Sequence, residues 1–196
     1  PGWAGIPVLL ASGAVIGGLF LLGPLLLRLR FGVDEVVTTL LLNFIAILFV
    51  SMMIEGPLKD PLAFGWPQSV PVSPDMVLPK LIPRTRLHIG LLIAIAAAVA
   101  VWALNARTVF GFESRAAGLN PKAATFAGLS LTRTLVAVAC LSGGLAGLAG
   151  AIEVTGLKGY VTTDLSPGYG YAGIVVAMLA AQNPIGVVGA AIFVAI

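Results

Sequence analysis

Four polar side chains interrupt an otherwise apolar stretch at Glu35, Thr38, Thr39 and Asn43. Glu35, Thr39 and Asn43 are spaced i, i+4 and i+8, which on an α-helix puts them on one face with Thr38 beside them. Polar groups are unfavourable in hydrocarbon and turn toward a bundle interior or a wet cavity. The Asn43 amide can donate and accept at once, which suits a sugar hydroxyl or a nucleobase edge; it suits a bond to a neighbouring helix equally well. Glu35 sits where a carboxylate is favoured by a helix N-terminus, and no proton-transfer role is assigned to it. Catalysis has little to work with. His88 is the only histidine and Cys140 the only cysteine, so neither a metal site nor a Cys–His pair can be assembled within the chain. No Gly-rich phosphate loop ending in Lys-Ser or Lys-Thr occurs, and Cys140, in an apolar run, reads as a small core residue.

A second constellation lies in Phe110–Gly128. Asn120 is an N-cap, Pro121 takes the first helical position, Ala123, Ala124 and Ala127 are strong helix formers, and Gly128 is a C′ stop. The pattern predicts a two-turn helix outside the membrane. A helix so short is marginal alone in water, so its caps and small exposed alanines fit docking into a groove of another protein. A loop helix that merely joins two spans fits the same spacing.

The elements that must position these residues are membrane spans of about 20 apolar residues. Four windows qualify: about Ala4–Leu27, followed by the basic turn Arg28-Leu29-Arg30, then Glu35–Ile54, Leu87–Leu104 and Thr134–Ile152. A fifth, Gly173–Ile196, is interrupted by Gln182-Asn183-Pro184-Ile185-Gly186. Proline lacks a donor and restricts its predecessor, which predicts two half-helices meeting at a turn. Broken helices at membrane depth pack in protein or line a wet cavity, which makes Gln182 and Asn183 pathway candidates; a kinked ordinary span is the plainer reading. Gly13 and Gly17 are four apart, as are Gly143 and Gly147, while Ala146 and Gly150 repeat the spacing, so these faces are expected to meet other helices.

Between the spans, Pro57, Pro61, Pro67, Pro71, Pro74, Pro79 and Pro83 stiffen the long segment Glu55–Arg86, which suits a docking platform, with an unstructured linker as the alternative. Tyr160, Tyr169 and Tyr171 fall in the fourth loop and read as interface anchors, with reception of solute as the functional alternative. Trp3, Trp66 and Trp102 read as anchors too.

Composition agrees with the spans. The 196 residues are 59% hydrophobic and 10% charged, with a mean hydropathy of +1.06, whereas soluble domains carry about 25% charged residues. A soluble domain, a disulfide scaffold and a disordered chain are therefore excluded, and the net charge of +3 comes without the basic cluster that nucleic acid would need. The expected fold is all-α, a polytopic membrane bundle with a broken segment near the C-terminus, forming a single domain over residues 1–196. Pro1 at the start and an apolar run up to Ile196 read as a piece of a longer protein lacking N- and C-terminal spans. The first and third loops hold six basic residues against five in the second and fourth, which barely orients the chain.

The stretch Arg115-Ala-Ala-Gly118-Leu-Asn120-Pro121-Lys-Ala123-Ala124-Thr-Phe-Ala127-Gly128 resembles the cytoplasmic coupling segment of permease subunits of bacterial ABC importers, in the branch serving ribose-type sugars, nucleosides and branched-chain amino acids. Glu35–Ala46 is similar to a pattern of the nucleoside and simple-sugar permeases. Ser142–Gly150, Leu165–Gly173 and Gln182–Gly186 also look like motifs of that branch. The resemblance implies a non-catalytic plasma-membrane subunit with residues 105–133 in the cytoplasm. It implies a separate ATPase that binds ATP, no cofactor in this chain, a second permease subunit and an extracytoplasmic solute-binding protein. An ion-gradient-driven transporter or channel subunit is the alternative; the broken fifth segment fits it, and the scarcity of intramembrane carboxylates does not.

Overall fold

The computed structural model describes residues 5–82 and 85–195. Trp3, Pro83, Arg84 and Ile196 lie outside the described residues. The chain folds as α1 (Gly5–Phe31), α2 (Glu35–Glu55), α3 (Gly90–Arg107), α4 (Val109–Leu119), α5 (Pro121–Phe126), α6 (Leu131–Glu153), α7 (Tyr169–Leu179) and α8 (Pro184–Ala195). Among the described residues no strand forms beyond isolated bridges. Among the described residues four helices, α1, α2, α3 and α6 with its π-helical extension, are long and apolar enough to cross a membrane, and α7 with α8 makes a fifth if the bent pair is one span.

Several boundaries differ from the sequence reading. The basic turn after the first span is helical: α1 runs 27 residues and carries Arg28 and Arg30 in its last turn, where cations complement the partial negative charge of the helix end. α2 begins as expected because Asp34 caps it, its carboxylate accepting from the backbone N–H of Val36 at 2.8 Å. α6 continues past Glu153 as a π-turn over Val154–Lys158. The segment before Pro121 is not a loop but α4, whose N-cap Thr108 accepts from the Gly111 N–H at 3.3 Å. α7 begins at Tyr169, so Tyr169 and Tyr171 are helical residues rather than loop residues.

The chain divides into two compact units. The first comprises residues 1–90 and 136–165. Its closest backbone approach is the crossing of α1 and α6, where Gly13 and Gly17 face Gly143 and Gly147. A methyl group placed on Gly13 would lie 3.0 Å from the Gly147 carbonyl oxygen, and one on Gly17 would lie 2.8 Å from the Gly147 Cα. Backbone-to-backbone approach of this kind leaves room only for hydrogen at those positions. Gly150 is different: nothing lies within 4 Å of its would-be Cβ.

The same unit carries the long proline-rich segment, and its described residues 55–82 pack on the chain rather than running free as a linker. Its backbone bonds to the chain beyond α6: Ser69 N–H to the Val161 carbonyl (3.0 Å), Val72 to Gly159 (2.7 Å) and Leu78 to Thr155 (2.9 Å). The Ser69 hydroxyl in turn accepts from the Val161 N–H at 2.9 Å. Lys158 and Asp164 pair at 3.8 Å across this surface. The Asp164 carboxyl is held below its ordinary range, first by the Thr162 hydroxyl and then by the Lys158 ammonium. Tyr160 lines a cavity of about 530 Å³ with Trp66, Gln68, Lys158 and Asp164.

The second unit comprises residues 91–135 and 166–196. α3 ends with the Arg107 guanidinium 5.7 Å from the centre of the Trp102 ring, close enough for a cation–π contact. α7 and α8 are bent by 120°. Ala181 and Gln182 both adopt left-handed backbone, φ 49° and 59°, and reverse the chain before Pro184 starts α8.

Candidate functional site

The coupling candidate belongs to the second unit and is built around Asn120. Its backbone N–H closes α4 by donating to the Ala116 carbonyl at 3.1 Å. Its side-chain oxygen opens α5 by accepting from the Ala123 N–H at 3.1 Å. One residue therefore ends one helix and starts the next, and Pro121 follows at the position where a missing N–H does no harm. α5 stops at a paired cap. The Gly128 N–H donates to the Thr125 carbonyl (3.0 Å) and the Leu129 N–H to the Ala124 carbonyl (3.0 Å), while Gly128 takes φ 84°, a conformation that glycine adopts without steric penalty.

The exposed surface of this corner differs from the expected one. Ala123 and Ala127 are exposed, but Ala124 is 4% exposed and therefore part of the packing that holds α5. The large apolar side chains lie outside: Phe126 is 97% exposed and Leu119 88%. Sequence reasoning weighed the caps and the alanines and passed over these two. The available signal is a leucine just before the capped rod and a phenylalanine at its end, the two large apolar side chains among small and polar residues. Arg115 turns back on its own helix, its Nε donating to the Gly111 carbonyl at 3.1 Å. Gly118 faces open space.

The polar stripe belongs to the first unit. Glu35 pairs with Arg28 across the α1–α2 turn. The Thr38 hydroxyl donates to the Asp34 carbonyl at 2.7 Å and that of Thr39 to the Glu35 carbonyl at 2.9 Å. Both hydroxyl protons are thus used on α2 and its N-cap. Asn43 is exposed, and among the described residues its amide makes no hydrogen bond. It is the eighth step from Glu35, about 12 Å along a helix that rises 1.5 Å per residue. That puts an unpartnered amide near the middle of a 21-residue span.

Gln182 and Asn183 are exposed at the α7–α8 turn in the second unit. The Asn183 side-chain oxygen accepts from the Ile185 N–H at 3.0 Å and so caps the start of α8. The Gln182 side chain makes no hydrogen bond among the described residues. Within that set no group of three His, Cys, Asp or Glu could hold a metal ion.

A family model described as branched-chain amino acid transport system / permease component matches residues 1–196. The chain is 34% identical over 193 residues to the guanosine ABC transporter permease protein NupP of Bacillus subtilis (strain 168), covering 97% of this chain and 56% of that protein. It is 34% identical over 195 residues to the nucleoside ABC transporter permease protein NupB of Lactococcus lactis subsp. cremoris (strain MG1363), covering 95% and 54%. Against the glucose ABC transporter permease protein TsgB13 of Haloferax volcanii the identity is 33% over 206 aligned positions, covering 100% and 54%. The chain thus spans a little over half the length of these relatives. No solved structure matches it.

Proposed function

This chain belongs to the family of branched-chain amino acid transport system permease components, and on that premise we propose that it is a membrane permease subunit of an ATP-driven importer of nucleosides or simple sugars. The names of the three relatives support the cargo class. A mid-span amide at Asn43, able to donate and accept, fits the hydroxyls and ring edges of such solutes. In the second unit, Gln182 and Asn183 at the α7–α8 turn are separate pathway candidates. Thr38 and Thr39, with their protons already engaged, contribute shape more than hydrogen bonds.

The observation that carries the reading is the doubly capped α5 with Phe126 and Leu119 bare on its corner. A six-residue helix held rigid by its caps can pass on a push without melting, and two exposed apolar side chains give a partner something to bury. That partner is a separate ATPase in the cytoplasm, where ATP is bound and hydrolysed, so this chain acts without catalysis of its own. Closure of the ATPase, transmitted through α5 and α4 to α3, biases the membrane body between inward-open and outward-open states, and solute delivered by an extracytoplasmic binding protein biases the same equilibrium. A second permease subunit completes the pathway.

The test is co-purification from native membranes. Phe126→Asp and Leu119→Asp, both at positions too exposed to disturb folding, are expected to lose the ATPase while the permease stays at its normal membrane level. Unchanged association would remove the main support. Uptake that survives ATP depletion but stops when the proton gradient is collapsed would favour the ion-driven alternative.

A further inference from the structure

The excursion between Asp60 and Gln68 in the first unit plays no part in the reading above. It is a closed tip. The Asp60 N–H donates to the Gln68 carbonyl at 3.1 Å, while the buried Asp60 carboxylate accepts from the Leu62 N–H at 2.9 Å and from the Gln68 amide at 3.2 Å. Within the tip, Leu62 is 81% exposed, Phe64 99% and Trp66 76%. Phe64 is held at φ 46°, a region that bulky residues seldom enter and that surrounding structure must impose. A folded loop that displays three large apolar groups to water would be unfavourable by the hydrophobic effect.

The helix beneath fixes the height of the tip. α2 has 21 residues, about 31 Å at 1.5 Å per residue, which matches a hydrocarbon core of about 30 Å. Glu35 and Glu55 mark its two ends. The Leu58 N–H returns to the Met53 carbonyl at 2.9 Å, so the chain leaves α2 along its last turn and not away from it. Two further turns, Ala63 N–H to Asp60 and Trp66 N–H to Ala63, keep the tip short. Met52 on the last turn of α2, and Leu58 and Leu62 beyond it, are exposed apolar residues on either side of Glu55, Lys59 and the buried Asp60. The tip therefore begins where the headgroup layer begins.

We propose that Leu62, Phe64 and Trp66 form a wedge that enters the boundary between headgroups and acyl chains in the leaflet where α2 ends, with a phospholipid surface as its partner. Leucine and phenylalanine supply apolar area, and tryptophan is the side chain most at home at that depth. The bonds from Ser69, Val72 and Leu78 to the chain beyond α6 then tie the whole ordered surface to the bilayer. The inference does not rest on the transport reading.

The experiment leaves Trp66 as the emitting tryptophan, with Trp3, Trp102 and every tryptophan outside these 196 residues replaced by Phe, in nanodiscs of phosphatidylcholine and phosphatidylglycerol. Expected are a blue-shifted emission, quenching of twofold or more by lipids brominated on the upper acyl chain, and weak quenching by iodide. Adding Leu62→Ser and Phe64→Ser should raise iodide quenching severalfold. Water-like emission quenched by iodide alone, shielding from both quenchers, or a blue shift that requires a soluble protein partner would each overturn the proposal. The first measurement needs no change within the tip, so a misfolded tip variant cannot rescue it.

Discussion

Asn43 and Thr39 lie one helical turn apart on the same face of α2, and what separates them is the fate of their hydrogen-bonding groups. The Thr39 hydroxyl donates to the Glu35 carbonyl at 2.9 Å, whereas the Asn43 amide is unpartnered among the described residues. Asn43→Leu should therefore reduce uptake by about tenfold, the upper range for one lost hydrogen bond, with ATPase association intact. Thr39→Val, which removes a group already engaged, should leave uptake within about twofold. Radiolabelled nucleoside uptake into cells checks both, and equal effects from the two substitutions would make the stripe a packing surface. The sequence made this stripe legible because helical spacing is a one-dimensional property. It could not tell a threonine bonded to its own helix from one facing a solute, since either hydroxyl orientation suits the same spacing.

At the scale of elements, the α1–α6 crossing shows what small-residue spacing can and cannot say. Gly13, Gly17, Gly143, Gly147 and Gly150 all follow the same rule, yet only the first four stand at the crossing; Gly150 opens onto empty space. The spacing marks a face, while the crossing point depends on where a second helix arrives. Gly17→Leu should lower the stability of the purified protein by about 1–3 kcal/mol, as overpacking does in tight cores, and more if the backbones are pushed apart. Gly150→Ala should be neutral or stabilising by up to about 1 kcal/mol through helix propensity. Thermal melting in detergent distinguishes them, and equal melting temperatures would mean that the crossing does not bear on stability. α4 was hidden for a related reason. Its 11 residues include two glycines and a charged pair, too polar for a span and too short for a strong period, and the Thr108 cap becomes visible only in the structure. α5, shorter still, was legible because Asn-Pro and a trailing glycine are position-specific signals that need no periodicity.

For the molecule as a whole, hydropathy marks the apolar spans and the Asn183-Pro184 pair marks the break between α7 and α8, because both signals are local. The ordered proline-rich surface was not readable: it is held by pairings such as Ser69 with Val161, 92 residues apart, and nothing in either segment names the other. Those pairings bear on sidedness. They hold the segment after α2 and the segment after α6 on one surface of the first unit, as span parity demands if α1, α2, α3 and α6 each cross once. Basic residues divide almost evenly between the two sets of loops, so charge does not choose which side is cytoplasmic, and the coupling reading does. With Cys140→Ser as the background, Lys122→Cys on α5 should react with a membrane-impermeant maleimide only after the cells are permeabilised, whereas Val70→Cys should react in intact cells. Both positions are exposed, so failure to react reports the barrier of the membrane and not burial. The reverse pattern would put α5 outside the cell, where no ATPase can grip it.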